Sequence, residues 1–173
     1  FRTQNLYWRQ RMNGGRSVLI AGVLDVTDYL DAFALASPWL HFMNFAFSTG
    51  SAAIGLPNDG AVGLAYGTML TDKFYLIAGL TDTNGDPGSP FEGFDNFFSD
   101  NEYFTSVELG YTSSQERIIF DNYHVTVWHK DKQVAADVPD GWGLAFSASR
   151  YINDRMMPFI RGAYTDDAGS LLQ

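Results

Sequence analysis

The amino-acid sequence predicts an all-β protein, an antiparallel up-and-down transmembrane β-barrel of the bacterial outer-membrane type. Segments of about ten residues alternate between bulky apolar and small or polar side chains, the period that gives a strand two different faces. These segments reach the roughly 9–11 residues that a tilted strand needs to cross a bilayer. Short turns and long loops follow one another between the segments, as they do in outer-membrane barrels.

The predicted strands share one pattern, in which bulky apolar side chains point to one side and small, polar or charged ones to the other. In 121–130, for example, Tyr123, Val125 and Val127 fall on the same face. This alternation alone would suit a soluble β-sandwich equally well. The predicted strands lie near 3–12, 16–25, 60–70, 73–82, 102–112, 121–130, 141–151 and 157–166.

The connections discriminate between a barrel and a sandwich. Long structureless connections such as 26–59 and 83–101 would count against a compact soluble domain. Here they alternate with the short turns 13–15 and 71–72, so the long loops fall at one end of the sheet. Aromatic residues concentrate near the strand ends. They would form interfacial girdles in a barrel, with ordinary cross-strand packing as the alternative.

The composition agrees with a sheet and excludes several other classes. The chain is 46% hydrophobic and 16% aromatic, so it has ample apolar surface to bury and is not a disordered tail. Its net charge of −9 would repel a phosphate backbone, so no nucleic-acid partner is expected. The absence of cysteine removes disulfides, thiolate metal sites and cysteine nucleophiles. The longest apolar run, 32–47, is too interrupted for a membrane helix.

Short motifs run in the same order across nearly the whole chain. They are LYW at 6–8, GVLDVTDYLD at 22–31, NGDP at 84–87, EYF at 102–104, ELGY at 108–111, PDGWG at 139–143 and PFIR at 158–161, followed by Tyr164. Together they resemble the carbohydrate-selective porins of the OprB type. Two positions depart from that signature: Val23 stands where a lysine is usual, and Arg9 where an acidic residue is usual. Both departures put the sugar selectivity in question.

The resemblance implies a barrel in the outer membrane of a Gram-negative bacterium that admits carbohydrates or other small polar solutes by diffusion. It implies no cofactor, contact with outer-membrane lipid, and an oligomeric state left open, a homo-oligomer included. Porins with an aqueous channel have 16–18 strands, whereas about eight are predicted here. We therefore expect residues 1–173 to form a single partial barrel domain of a larger porin. A closed eight-stranded barrel, too narrow to pass a sugar, is the alternative.

Charged side chains on the predicted lumen face are the first candidate site. Glu108 and Arg161 interrupt two ordinary strands, and a charge facing lipid at mid-depth costs about 2–4 kcal/mol for arginine. In the lumen they could hydrogen-bond sugar hydroxyls, while Trp128 could stack on the apolar face of a sugar. His124 and Lys130 share that face. The alternative is an ion pair of Glu108 and Arg161 that only braces the wall.

The acidic start of the long loop is the second candidate. We expect loop 26–59 to fold into the lumen and to carry Asp28 and Asp31, with Asp25 before them, toward the constriction. A ring of carboxylates there would favour cations. The alternative is a solvated loop in which Asp28 and Asp31 cap a short helix.

Metal binding and catalysis find little support. Residues 82–86 resemble a calcium loop, but Pro87 occupies the position of the required glycine, so a plain turn explains them better. No nucleophile elbow, phosphate loop or zinc-binding helix motif is present, and we expect no enzyme activity. The leading hypothesis is a porin. The alternatives are a soluble β-sandwich that binds carbohydrate and a structural outer-membrane barrel without an open channel.

Overall fold

The eight predicted strands all form, within about three residues of their expected ends, in a computed structural model that describes residues 2–44, 47–48, 53–153 and 155–166. They build one antiparallel sheet in which each strand pairs with its neighbours in sequence. This confirms the all-β, up-and-down prediction. The elements are β1 (Leu6–Met12), β2 (Ser17–Leu24), β3 (Ala61–Met69), β4 (Phe74–Asp82), α1 (Glu92–Ser99), β5 (Tyr103–Thr112), β6 (Asn122–Lys130), β7 (Gly141–Ser149) and β8 (Phe159–Thr165).

The sheet is open at both edges in the part of the chain that the structure describes, because β1 pairs with β2 and β8 with β7 but not with each other. The prediction of a structureless connection at 83–101 is wrong at α1, which forms there because Phe91, Phe94 and Phe98 recur at helical spacing. No described helix has the length and apolar character needed to cross a membrane.

The two faces of the sheet have opposite character, as the alternation predicted. The outward aliphatic and phenylalanine side chains at the centre of β5, β6 and β7 keep 37–53% of their surface exposed. The inner face carries glycine, serine and threonine together with buried charged groups. The outward set is Val107, Leu109, Val125, Val127, Leu144 and Phe146.

Aromatic residues border this apolar band at both ends. At the end that carries the short turns, here called the turn end, Tyr111 contacts Phe74 and Tyr123 with ring centroids 5.3 and 6.1 Å away. At the opposite, loop end, Tyr103, Trp142 and Tyr164 lie on the same outer face, the last two with centroids 5.7 Å apart. Tyr103 and Tyr111 are separated by about 26 Å along β5, at about 3.3 Å per residue.

The loop between β2 and β3 packs on the inner face of the sheet. Its Val26, Leu30 and Ile54 are buried against Phe104 and Trp128 of the sheet. The contact is close: a Cβ added to Gly79 of β4 would lie 2.6 Å from the hydroxyl of Tyr29. The loop thus covers the inner face of β4 to β8 and leaves β1 and β2 beside it.

Gly110 tests how tightly the inner face is packed. A Cβ at this position would lie 2.2 Å from the ring of the buried Tyr75, so we expect Gly110→Ala to lower the free energy of unfolding by about 1–3 kcal/mol. Urea unfolding of the purified protein, followed by intrinsic fluorescence, measures this loss. Gly67→Ala is the control, since its added Cβ would meet only Ile77 at 3.6 Å. Equal midpoints for the two variants would contradict the packing.

Asp121 joins two turns at the turn end. Its carboxylate accepts hydrogen bonds from the Nε of Arg117 at 2.6 Å, the hydroxyl of Ser113 at 2.8 Å and the backbone N–H of Tyr151 at 2.9 Å. The bond from Arg117, foremost among these contacts, lowers the pKa of Asp121 to about 2. The charged form of Asp121 therefore stabilises the folded state.

Because of this lowered pKa, we expect the free energy of unfolding to depend on pH. The stabilisation is complete above the ordinary aspartate pKa of about 4 and is lost as the pH falls toward the folded-state value, because protonation removes the charge that Arg117 binds. Asp121→Asn should therefore have a lower urea midpoint than the unmodified protein at pH 6, with the difference shrinking toward pH 2. A difference that stays constant with pH would contradict this assignment.

Candidate functional site

Four buried charged residues meet where the loop touches the inner face, and we call them the charged cluster: Asp31, Glu108, His124 and Arg161. The loop supplies Asp31, and strands β5, β6 and β8 supply the others. The Nε2 atom of His124 lies 2.6 Å from Oδ1 of Asp31, and the guanidinium of Arg161 donates to the other oxygen of that carboxylate. The backbone N–H of Asp31 donates to Glu108 at 2.7 Å. Asp31 therefore contacts all three cluster residues that come from the strands.

Further hydrogen bonds hold the members of the cluster in place. Glu108 accepts bonds from the hydroxyls of Tyr75 at 2.8 Å and Thr126 at 2.9 Å. The amide of Asn122 donates to the carbonyl of Ile118, so its oxygen faces Nδ1 of His124 at 2.9 Å. Each ring nitrogen of His124 therefore lies beside an oxygen atom, Nε2 beside the carboxylate of Asp31 and Nδ1 beside the amide oxygen of Asn122.

Arg161 ties further parts of the loop to β8. Its guanidinium carbon lies 4.0 Å from the ring centroid of Phe33, a cation–π contact. It also donates to the carbonyl of Ser48 at 3.2 Å and to the hydroxyl of Ser147 on β7 at 3.0 Å. Arg161 thus pairs with Asp31, rather than with Glu108 as sequence reasoning considered. The bracing role that the sequence left open is the one that these contacts support.

Trp128 and Lys130 are both buried on the inner face. The Trp128 ring stacks on Phe104, with centroids 6.2 Å apart and planes at 19°. Because the loop covers this stack, the indole face is not open to a solute as the sequence analysis expected. Lys130 is the last residue of β6, at the loop end.

The loop acids Asp25 and Asp28 take roles that differ from the predicted caps. A short 3₁₀ helix at Val26–Asp28 does form, but Asp25 caps it by accepting from the backbone N–H of Thr27 at 2.9 Å. The alternative in which Asp28 and Asp31 cap a short helix is therefore wrong. Asp28 instead accepts from the amide of Asn5 at 2.8 Å, and burial raises the pKa of its carboxyl.

A groove of about 220 Å³ runs between these loop acids and the inner face of β1 and β2, where Val18, Ile20 and Leu24 of β2 also line it. Tyr7 and Arg9 line it from β1, opposite Asp25, Asp28 and Tyr29 from the loop. Burial raises the pKa of the Tyr29 phenol, so the phenol stays neutral. Sequence reasoning did not choose Arg9 as a site residue. The alternation of the strand could have identified it, because residues 7, 9 and 11 lie on one face.

Two larger cavities lie near the groove, one toward each end of the sheet. At the loop end the groove adjoins a cavity of about 640 Å³, with which it shares Asp25 and which Asp59 and Asn84 also line. At the turn end, Arg11 follows Arg9 on the same face of β1 and lines a cavity of about 720 Å³.

Residues 82–86 form turns rather than a calcium loop. Asp82 accepts from the backbone N–H of Asn84 at 3.0 Å, and Asp86 from that of Gly88 at 2.7 Å. Within the described residues, no group of three or more His, Cys, Asp or Glu side chains is placed to hold a metal ion.

Comparison with known proteins gives no relative: no family model, curated protein or solved structure matches the chain.

Removing the central carboxylate tests the charged cluster. Asp31→Ala leaves the buried Arg161 without its counter-charge and removes the oxygen beside Nε2 of His124, so we expect a loss of about 3–5 kcal/mol in the free energy of unfolding. Limited proteolysis should also cut the loop between β2 and β3 faster. Asp137→Ala is the control, because Asp137 is exposed and its ion pair with Lys132, at 3.7 Å, lies at the surface. If both variants resist urea and protease equally, the cluster does not hold the loop.

Proposed function

We propose that this chain forms part of the wall of a diffusion channel for small polar solutes in a bacterial outer membrane, of the carbohydrate-selective porin type. The observation that carries the proposal is the outer face of the sheet. Its central side chains are aliphatic or phenylalanine, remain exposed, and lie between two rows of aromatic residues. Hydrocarbon flanked by interfacial aromatics is the environment that such a face fits.

The distribution of charge supports the same conclusion. All but one of the lysine, arginine, aspartate and glutamate residues in the strands lie on the inner face, namely Arg9, Arg11, Glu108, Lys130 and Arg161. The exception is Asp82, the last residue of β4, at the loop end. A charge at the bilayer midplane costs about 2–4 kcal/mol for arginine or lysine, and little near the interface. A soluble protein would not need to keep its exposed face free of charge.

The dimensions also fit a membrane wall. The two aromatic rows are about 26 Å apart along β5, which corresponds to about 20 Å along the membrane normal for a strand tilted by about 40°. Outer-membrane barrels carry an apolar band about 25 Å tall. The long connections gather at one end and the short turns at the other, as in barrels whose loops face the outside of the cell.

The groove along β1 is the proposed path of the solute. A hydroxylated solute both donates and accepts hydrogen bonds, and here the donor Arg9 lines the same groove as the acceptors Asp25 and Asp28. Contacts of this kind replace part of the hydration shell of the solute while binding it weakly enough to release it. Carbohydrates are the solute class that this arrangement suits.

One observation favours the alternative of a structural barrel without an open channel. The loop seals the inner face of β4 to β7 with an apolar core of Val26, Leu30 and Ile54 on Phe104 and Trp128. If the remainder of the lumen were filled in the same way, no solute would pass.

Conductance of the full-length protein in planar lipid bilayers separates the two functions. A channel should give stepwise ion conductance that added sugar reduces, whereas a blocked barrel should insert without conductance. Arg9→Glu replaces the cation in the groove by an anion, so the reversal potential in a salt gradient should shift toward cation selectivity. Arg155→Glu is the matched control at an exposed turn-end position. Equal reversal potentials in the two variants would contradict the proposed path.

A further inference from the structure

Helix α1 lies on the outer side of the sheet. A Cβ added to its Gly93 would be 2.8 Å from Cγ2 of Val62, an outward side chain of β3. This contact explains why Val62 is only 5% exposed, whereas Leu64, on the same face two residues further along, is 41% exposed. The helix therefore covers the loop-end margin of the face that we assign to lipid.

The helix is also joined to the aromatic row at the loop end. The ring of Phe97 contacts that of Tyr103, with centroids 5.1 Å apart, and the hydroxyl of Tyr103 donates to the backbone carbonyl of Phe97 at 2.8 Å. Gly93 and Phe97, four residues apart, thus form the side of the helix that faces the sheet. The position of α1 on the wall is fixed at both points.

Two stripes of the helix remain free. Phe91, Phe94 and Phe98 form an apolar stripe at i, i+3 and i+7, and all three are exposed. Glu92, Asp95 and Ser99 form a polar stripe with the same spacing, also exposed. An apolar and a polar stripe side by side are what a helix shows when it lies in the plane of a membrane interface.

We propose that α1 is an interfacial helix, lying along the headgroup boundary at the loop end with Phe91, Phe94 and Phe98 in contact with lipid. This rests on the proposed function, because it is the lipid-facing assignment of the outer face that places hydrocarbon beside Val62 and Tyr103. The phenylalanine stripe continues that face outward, and the acidic stripe turns toward water. Lipid, rather than a protein partner, is the occupant because the stripe is continuous with the aromatic row and the apolar band below it.

Fluorescent labels at single cysteines test the depth of the helix, since the chain has no cysteine of its own. Phe98→Cys and Asp95→Cys report the two stripes, while Val107→Cys and Val134→Cys report the centre of the lipid-facing band and an exposed loop. Each variant of the full-length protein is labelled with a polarity-sensitive dye and placed in phosphatidylcholine vesicles. Quenching is then measured with lipids brominated near the headgroup, with lipids brominated deep in the chain, and with iodide in the water.

We expect the label at 98 to be quenched most by shallow bromines and to show blue-shifted emission. The label at 107 should respond to deep bromines, the label at 134 to iodide, and the label at 95 more to iodide than the label at 98. If 107 responds to lipid but 98 to iodide alone, or to no quencher, the interfacial helix is wrong while the channel wall stands. If neither 98 nor 107 responds to lipid, the proposed function fails together with the inference.

Discussion

The separation of charge between the two faces of one sheet is the constraint on which the rest of this structure depends. A strand places successive side chains on opposite sides, so a single shift in register would turn Glu108 and Arg161 outward and Val107 inward. The eight strands keep one register from β1 to β8, and the charges stay together on the inner side. The inner face can then bind a loop and line a groove, while the outer face stays apolar.

Bringing charge inward creates a cost that the loop offsets. A buried carboxylate or guanidinium without a partner loses several kilocalories of hydration, and the carboxylate that pairs with Arg161 comes from the loop. Asp31 supplies that negative charge, and its backbone N–H supplies a donor to Glu108. The position of the loop and the burial of the charged residues of the sheet therefore depend on each other. The same loop leaves β1 and β2 uncovered, which confines open polar space to the side where Arg9 and Asp28 line the groove.

Periodicity made the strands and their faces predictable, because it is a local property that every strand repeats. The outward group of Val125 and Val127 and the inward position of His124 followed from spacing alone. The cluster was not predictable in the same way. Asp31 meets His124 and Arg161 across 93 and 130 residues, and no local pattern encodes such a pairing. Helix α1 was missed for another reason: with only eight residues, its stripe of phenylalanines is too short to outweigh the turn signals around it.

These long sequence separations have a consequence for the order of assembly. Every strand pairing joins neighbours in the chain, so hairpins can form early at a small entropic cost. The cluster, by contrast, requires β8 to be in place before Arg161 can meet Asp31, and contacts of such separation form late. We therefore expect the loop to reach its final position on the inner face only after β8 has paired with β7. Until then the inner face is hydrated, and water can satisfy its serines, threonines and charged groups.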